Sequence, residues 1–324
     1  MTTTATRRLV KKDIMQTISA NQIMLVGLNY MGFSKAKQAS RSYNKNSVEF
    51  KKHYGLAPHV VAEIWHDLCT TNIEESKLSK KEKGQKGLTY LLMVIHFMFV
   101  YPRNRHVLAS RFGVCDKLAS GKNLWKWASR LAGLHKKVIH FPEDFADPNG
   151  IPFVMSLNCR DHKCSEKKHP RFNLDRSYSS KKHGGHAALK YELGVSLFHD
   201  QIVWIGKPYR ATKADITIFR EGGLKRKFLE IFPGKYIIVD LGYRSSQEDE
   251  KMLAYPNSTD VIPLKKFKSL ARCRQEDVNA RMSKFKILNY EFEHSVEKHE
   301  ICFACVSVRL QYQLNCGNAY LTKL

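Results

Sequence analysis

The stretch Lys235–Tyr243, which reads K-Y-I-I-V-D-L-G-Y, decides how the second half of the chain is interpreted. Its residues 236–239 are β-branched or aromatic, and Gly242 follows soon after. A short run of this kind, closed by a glycine, predicts a buried strand rather than a helix. Asp240 stands at the carboxyl end of that strand, where ligands bind in open α/β sheets. Asp240 is therefore either a ligand or the cap of a turn, and the stretch alone favours the cap.

The composition indicates a basic, folded protein with a polyanionic partner. The chain has 324 residues, enough for about two domains. It contains 54 Lys and Arg against 30 Asp and Glu, a formal net charge of +24. An excess of this size points first to nucleic acid, and DNA is the partner we predict. A ribosomal protein or one with a merely basic surface is the alternative.

No stretch of the sequence predicts a membrane span. The most apolar segment, Leu88–Tyr101, is shorter than the roughly 20 residues that a spanning helix needs. The N-terminal M-T-T-T-A-T-R-R has no apolar segment after its charges, so it does not resemble a secretory signal. We therefore expect a reducing compartment, in which the eight cysteines are free thiols rather than disulfides.

Residues 1–52 are basic and weakly patterned, and we predict a flexible arm there. Their lysines and arginines are opposed only by Asp13 and Glu49. Such an arm could contact phosphates or serve as a nuclear address, or it could be a solvated tail. On this basis, together with the family resemblance described below, we predict that the protein lies in the nucleus.

Residues 53–145 predict an all-α DNA-binding region. Helical periodicity begins at Pro58, and a buried helix spans Leu88–Val100. The segment Asn104–Leu134 resembles a helix-turn-helix, in which the second helix enters the major groove. A plain helical bundle without groove contacts is the alternative. The DNA contacts predicted on this second helix are Lys122, Lys126 and Arg130.

Residues 151–324 predict an α/β domain with a mixed sheet flanked by helices. The turn-rich segment Pro142–Gly150 precedes it, and the periodicity then changes from that of helices to that of strands. The predicted elements are a strand Phe153–Leu157, a hairpin of Leu189–Phe198 with Gln201–Ile205, a helix Ala214–Phe232 broken at Gly222-Gly223, the strand described above, and helices Ala271–Leu288 and Phe292–Leu314.

Several segments between Phe153 and Tyr320 resemble, in order and spacing, the nuclease domain of PIF/Harbinger-type transposases, which are DDE superfamily endonucleases. The resemblance implies an RNase H-like fold, with two acids at strand ends and a third on a helix. The segments are S-Y-S-S-K from Ser177, L-K-Y-E-L-G from Leu189, I-V-W from Ile202, D-I-T-I-F-R from Asp215, V-D-L-G-Y from Val239 and R-Q-E-D-V-N-A-R from Arg274.

The resemblance implies that Asp240 is the second acid of the catalytic site and Glu276 the third. Three converging carboxylates can hold two divalent ions about 3.5–4 Å apart, and such hard oxygen ligands suit Mg²⁺ or Mn²⁺. One ion would activate the attacking water or 3′-hydroxyl, and the other would stabilise the departing oxygen. The implied activity is cleavage of transposon ends or other duplex DNA.

The first acid is where this sequence departs from the family, which has an Asp-Gly-x-His-Cys-like segment. Here S-L-N-C-R-D-H-K-C, from Ser156, places Asn158 at the position of the acid. Asp161 lies three residues later and could replace it only if the turn is rearranged. An asparagine coordinates through its carbonyl oxygen but adds no negative charge, so metal affinity falls.

Three hypotheses follow from this site. The first is an active endonuclease that uses Asp161, Asp240 and Glu276 as catalytic and metal-binding residues. The second is a transposase-derived DNA-binding protein that cleaves weakly or not at all. A basic structural protein that binds RNA or ribosomes remains only if the three acids do not converge.

The sequence and the resemblance also suggest a helix cap, partners and additional DNA contacts. Asp215, ahead of a helix, is predicted to be its N-cap. The resemblance implies a possible separate Myb-like DNA-binding protein as a partner, and a homo-oligomer is also possible. Additional DNA contacts are predicted at Lys181, Lys182, Arg274 and Arg281.

Overall fold

The computed structural model describes residues 18–102, 104–115, 121–141, 150–165, 178–245, 251–317 and 319–324. The first part of this chain is all-helical. Its helices are α1 (Ala20–Tyr30), α2 (Lys35–Ala39), α3 (Tyr43–Tyr54), α4 (Pro58–Thr70), α5 (Gln85–Val100), α6 (Arg105–Phe112), α7 (Lys122–Gly133) and α8 (His135–Val138).

The second part contains a mixed sheet of six strands. The strand order is β3-β2-β1-β5-β6, with β4 paired to β2. Strands β1, β2 and β3 are antiparallel neighbours, whereas β5 runs parallel to β1 and to β6. The strands are β1 (Phe153–Lys163), β2 (Ala188–Ser196), β3 (Ile202–Ile205), β4 (Tyr209–Arg210), β5 (Tyr236–Val239) and β6 (Leu253–Ala254).

Helices cover both faces of this sheet. On one face Met155 and Leu157 of β1 pack with Phe228, from a helix between β4 and β5. On the other, Tyr191 of β2 stacks on Phe303 with ring centroids 4.1 Å apart. This α/β architecture after an all-helical region is consistent with the RNase H-like fold that the resemblance implied. The remaining helices are α9 (Asp215–Glu221), α10 (Leu224–Ile231), α11 (Ile262–Met282), α12 (Lys286–Asn289) and α13 (Val296–Asn315).

The prediction of a flexible arm is wrong for residues 18–52. Helices α1, α2 and α3 each begin after a serine whose hydroxyl oxygen accepts a backbone N–H of the first turn. Their apolar residues, such as Ile23 and Phe50, are fully buried, while the basic residues occupy the outer faces. The many basic residues made the amphipathic pattern of these three helices difficult to recognise in the sequence. Residues 1–17 lie outside the described part of the chain.

One hydrophobic core joins the helical region to a face of the sheet. It includes Leu28 of α1, Leu92 of α5, Val195 of β2 and Val306 of α13. Within it the buried Arg309 of α13 donates hydrogen bonds to backbone carbonyl oxygens of two other helices. The predicted boundary between a helical and an α/β domain falls at 146–150, of which only residue 150 is described, and it stays a prediction.

The segment that resembles a helix-turn-helix packs as part of the helical bundle. Gly113 ends α6 with a φ of 60°, as predicted for the turn. Helix α7 buries Leu124, Trp127 and Leu131 against its neighbours, also as predicted. Trp125, on another side of the helix, contacts His294 with ring centroids 5.0 Å apart. Helix α7 is thus packed on more than one side, which favours the bundle interpretation over a groove-reading helix.

Two further predictions concern the whole chain. All eight cysteines are free. Within the described ranges, no helix is both long and apolar enough to cross a membrane.

Candidate active site at the end of the central strands

Asn158 and Asp240 lie level with each other where β5 ends, beside the middle of the longer strand β1. The strand register pairs Leu157 of β1 with Val239 of β5, so the next residues along the two strands lie level. The sequence prediction for β5 is confirmed, with Asp240 directly after its last residue. The residue beside Asp240 is thus an amide, not a carboxylate.

Asp240 also caps a turn. Its carboxylate oxygen Oδ1 accepts the backbone N–H of Gly242 at 2.9 Å and starts a short 3₁₀ turn. A Cβ atom at Gly242 would lie 2.5 Å from Oδ2 of Asp215 and 3.0 Å from Oδ1 of Asp240. The glycine therefore lets the Asp215 and Asp240 carboxylates approach the same turn. The cap does not occupy the second oxygen of Asp240, so a metal-binding role remains compatible with it.

Glu276 lies on α11, beside the middle of β1. Gln275, one residue earlier, accepts the hydroxyl of Ser156 at 3.0 Å. Asn279, three residues later, uses its carbonyl oxygen to accept the guanidinium of Arg160 at 2.5 Å. Glu276 lies between these two anchors and is exposed to solvent. Ser156, Asn158 and Arg160 stand at every second position of β1, so their side chains lie on one face of the sheet. That face is the one that α11 covers.

Asp161 points away from this site, to the opposite face of the sheet. It lies within the extended strand β1, whereas the prediction required a rearranged turn. Its oxygen Oδ2 accepts the hydroxyl of Ser180 at 2.5 Å, and Oδ1 is buried with no hydrogen-bond partner among the described residues. Since Arg160 contacts α11, strand alternation directs the next side chain to the α9 side. The prediction that Asp161 supplies the first acid beside Asp240 and Glu276 therefore does not fit the structure.

The donor set at this site does not fit a pair of divalent ions. The possible donors are the carboxylate of Asp240, the amide of Asn158, which follows the residue paired with Val239, the carboxylate of Asp215 on the other side of Gly242, and the carboxylate of Glu276 on α11. The guanidinium of Arg160 is close enough to Glu276 for the carboxylate to support its charge, although burial lowers the pKa of Arg160. Among the described residues, no group of three His, Cys, Asp or Glu side chains gathers to hold a metal. Asp215 is already paired with Lys190 and Glu276 lies near Arg160, so these carboxylates favour at most one weakly bound ion.

A buried polar cluster, which the sequence did not predict, lies on the α9 side of the sheet. Asp215 is the first residue of α9 rather than its N-cap, which is Ala214. Oδ1 of Asp215 accepts the ammonium of Lys190 at 2.9 Å instead of a backbone N–H. The N-cap prediction is wrong because Lys190 of β2 points at the start of α9 and pairs with the Asp215 carboxylate. Asp215 thereby ties β2 to the turn that contains Gly242.

Glu192, on β2, is fully buried in the same cluster. Its carboxyl oxygens accept the indole N–H of Trp204 at 3.0 Å and the hydroxyl of Tyr243 at 3.4 Å. Burial raises the pKa of Glu192 to about 8, so it carries a proton at neutral pH. The face of β2 that carries Lys190 and Glu192 is covered by α9, whose first residue Asp215 pairs with Lys190. Tyr191 and Gly194, on the two sides of Glu192 in the sequence, are buried. An acid between an aromatic residue and a glycine in a strand was the available sign that this face is covered.

The predicted DNA contacts on α7 differ in availability. Lys122 is exposed. Lys126 is exposed too, but its ammonium lies 2.9 Å from the carboxylate of Glu82. Arg130 is buried and donates two hydrogen bonds of 2.8 Å to the same carboxylate. Arg130 is therefore a structural residue, and the prediction that it contacts DNA does not fit this geometry.

The remaining predicted DNA contacts also include both exposed and buried residues. Lys181 and Lys182 are exposed in a turn before β2. Arg274 is buried and donates to the carbonyl oxygens of His199 and Thr322, each at 2.7 Å. Its guanidinium is enclosed by these carbonyl oxygens and not accessible to DNA, so the predicted DNA contact does not fit Arg274 either. Arg281 is half-buried and donates to the carbonyl oxygen of Tyr320 at 2.7 Å.

Comparison with known proteins identifies one family. The model of the DDE superfamily endonuclease family matches residues 163–315, a little under half of the chain. The match supports a transposase-like nuclease domain. The matched span contains Asp240 and Glu276 but begins after Asn158 and Asp161. Searches of curated proteins and of solved structures returned no match.

Proposed function

We propose that the chain binds duplex DNA through a transposase-like nuclease domain whose metal site is incomplete, so that it cleaves DNA weakly or not at all. The observation that carries this proposal is the register of β1 and β5, in which Leu157 pairs with Val239, so that Asn158 and Asp240 are the next residues along the two strands. Of the two hypotheses for a DDE-type domain, this arrangement favours the one without efficient catalysis.

The charge of the site supports weak catalysis. A two-metal centre places four positive charges between its carboxylates, and each carboxylate that is lost removes one compensating charge. Here Asn158 contributes none, and Arg160 adds a positive charge beside Glu276. Asp161 cannot compensate from the other face, where its carboxylate accepts the hydroxyl of Ser180.

The surface of the chain supports DNA binding. The net charge of +24 attracts a polyanion, and the phosphate backbone supplies most of the affinity of sequence-independent binding. Lys122, Lys181 and Lys182 are exposed and can contact phosphates. We expect binding that weakens steeply as the salt concentration rises.

The test restores the missing acid. Asn158→Asp changes one side-chain group without changing its size, and it places a carboxylate beside Asp240. We expect the wild-type protein to bind a labelled duplex in fluorescence anisotropy but to leave supercoiled plasmid intact in Mg²⁺ or Mn²⁺. The Asn158→Asp variant should nick the plasmid, and its Mn²⁺ affinity, measured by calorimetry, should rise by about tenfold or more.

Matched variants separate the possible outcomes. In the Asn158→Asp background, Asp240→Asn should abolish nicking, while Asp161→Asn should leave it unchanged. Efficient nicking by the wild-type protein that disappears with Asp161→Asn would instead establish the active endonuclease. Absence of duplex binding at low salt would reject the proposed function altogether.

Finer aspects of the function rest on the resemblance and on composition. We propose the PIF/Harbinger subtype from the order of the motifs, and a nuclear location from the DNA substrate and the basic chain. A separate Myb-like partner would then supply sequence specificity that a phosphate-binding surface lacks. Affinity capture of the tagged protein from nuclear extract, with Lys181 and Lys182 intact and replaced by glutamine, would test the partner independently of DNA.

A further inference from the structure

A cavity of about 660 Å³ opens between α1, α2 and α3 in the helical region. Met24 and Leu25 of α1 give it an apolar wall, and Tyr43 lines it at the start of α3. Lys35 and Arg41 are its cations, and none of the lining residues, all of which the structure describes, carries a carboxylate. The cavity shares no residue with the candidate active site, and the proposed function does not use it.

Two buried side-chain amides form the polar lining of this cavity. Gln38 of α2 is 4% exposed, and its Nε2 donates to the carbonyl oxygens of Leu25 at 3.2 Å and Phe33 at 2.7 Å. Asn46 of α3 is 3% exposed, and its Nδ2 donates to the carbonyl oxygen of Gln38 at 2.9 Å. These hydrogen bonds join the three helices and hold both amides in place, so the polar part of the cavity is pre-formed.

The oxygen Oδ1 of Asn46 is buried and has no hydrogen-bond partner in the part of the chain that the structure describes. Folding removes water from this acceptor, and an acceptor that is left unpaired lowers the stability of the folded state. Since Asn46 lines the cavity, an N–H donor on a bound molecule would recover that loss. Asn46 therefore favours a ligand that carries an N–H group.

The charges around the cavity favour an anion. Arg41 lies 3.5 Å from the Glu49 carboxylate, but Glu49 also pairs with Lys52 at 3.3 Å, so one acid serves two cations. Lys35 is exposed at the start of α2. Residues 1–17 precede α1 and share the sign of this charge, so they do not complement it. Their charged residues are Arg7, Arg8, Lys11, Lys12 and Asp13.

We propose that this cavity binds a small organic anion that has an apolar body and an N–H donor. The apolar body packs on Met24 and Leu25, and the N–H donates to Oδ1 of Asn46. The anionic group pairs with Lys35 and Arg41. The volume and the mainly apolar lining with a few placed polar groups are typical of small-molecule sites. The inference needs no DNA and does not rest on the proposed function.

The probe is 8-anilinonaphthalene-1-sulfonate, which combines an aromatic body, an anilino N–H and a sulfonate and fluoresces when it leaves water. Titration of the full chain should show saturable binding of one dye molecule per chain. Lys35→Glu and Leu25→Glu each place an acid at the cavity, and each should weaken the affinity for the dye by about fivefold or more. Lys35 is a surface residue, so its variant stays informative if Leu25→Glu disturbs the packing of α1.

Two controls make the same substitutions outside the cavity. Lys51→Glu and Val48→Glu change exposed positions of α3 that do not line it, and they alter the net charge equally. Both variants should bind the dye as the wild type does. Equal affinity of the wild type, Lys35→Glu and Leu25→Glu would overturn the inference.

Competition with indole-3-acetate tests the charge and the N–H separately. Indole-3-acetate should displace the dye. Its methyl ester lacks the charge and 1-methylindole-3-acetate lacks the ring N–H, so each should compete about fivefold less well. Equal competition by all three compounds would contradict the proposed ligand class. Dye binding that appears only after deletion of residues 1–17 would also overturn the inference, because that segment would then be the occupant.

Discussion

Glu192 illustrates at the scale of a residue how the covered face of the sheet changes side-chain chemistry. Burial raises its pKa from the ordinary 4.5 to about 8. Between these values the folded protein keeps a proton that the unfolded chain releases. The stability associated with this group is therefore complete below pH 4.5 and is lost as the pH rises towards 8.

The first prediction concerns Glu192→Gln, which is neutral at every pH. The free energy of unfolding of the variant, relative to the wild type, should increase with pH between 5 and 8. The slope is at most about 1.4 kcal/mol per pH unit, since one proton is involved. Urea unfolding at four pH values measures it. Parallel curves for the two proteins would show that Glu192 is ionised when folded.

At the scale of elements, local patterns predicted most of the fold. Strand β5, the hairpin of β2 and β3, helix α5 and the break at Gly222-Gly223 are all present where the sequence indicated them. Each depends on a run of apolar residues or on a glycine, and these signals are local. Helices α1 to α3 were not predicted, because the basic composition of residues 1–52 indicated a flexible arm and the serine caps of the helices were not taken into account.

The candidate site was predicted in part, and β1 accounts for the remainder. The strand that ends before Asp240 and the helix that carries Glu276 follow from patterns within single elements, whereas the choice of these two acids came from the family resemblance. The face of Asp161 does not, because β1 is covered on both faces and its polar residues alternate with other polar residues. The resemblance placed Asn158 at the position of the first acid, and the pairing of β1 with β5 sets it level with Asp240. A register between distant strands cannot be predicted from either strand alone.

A second prediction concerns the contact between the turn at residues 80–82 and α7. Arg130, Lys126 and Ser79 hold the pKa of the Glu82 carboxyl well below its usual range. Glu82→Gln should lower the free energy of unfolding by about 2 kcal/mol, between the values for exposed and buried ion pairs. Because the folded pKa is depressed, this contribution is present above the unfolded pKa and is lost in acid.

Chemical denaturation at pH 7 and pH 3 measures the effect of Glu82→Gln. The difference from the wild type should shrink at the lower pH. The matched control is Glu74→Gln, since Glu74 pairs with Lys77 at 3.8 Å in a largely exposed position. An equal loss of stability in both variants would contradict a specific role for Glu82.

At the scale of the whole molecule, α13 connects the helical region to the sheet. Arg309 on this helix is fully buried, and burial lowers its pKa to about 9. It donates to the carbonyl oxygens of Ile95 at 3.1 Å and Tyr54 at 2.5 Å. Its guanidinium also lies 4.6 Å from the ring centroid of Phe285. A single side chain thus links α3, α5 and the C-terminal helix.

The third prediction is that Arg309→Met destabilises the protein by about 2–5 kcal/mol, because two buried carbonyl oxygens lose their donor. Helical circular dichroism and tryptophan fluorescence should still report one coincident unfolding transition, since the core is shared. The control Arg281→Met, which loses one half-buried hydrogen bond to Tyr320, should cost less than about 1.5 kcal/mol. Two separate transitions would indicate that the helical region and the sheet fold independently.

The position of Asn158 beside Asp240 has a consequence for heredity. The codons of asparagine and aspartate differ by one purine at the first base, so a single transition mutation exchanges them. A lineage with this fold could therefore lose or regain the first acid in one step, without disturbing β1. Among natural variants of this gene, the identity of that one base should separate chains that cut DNA from chains that only bind it.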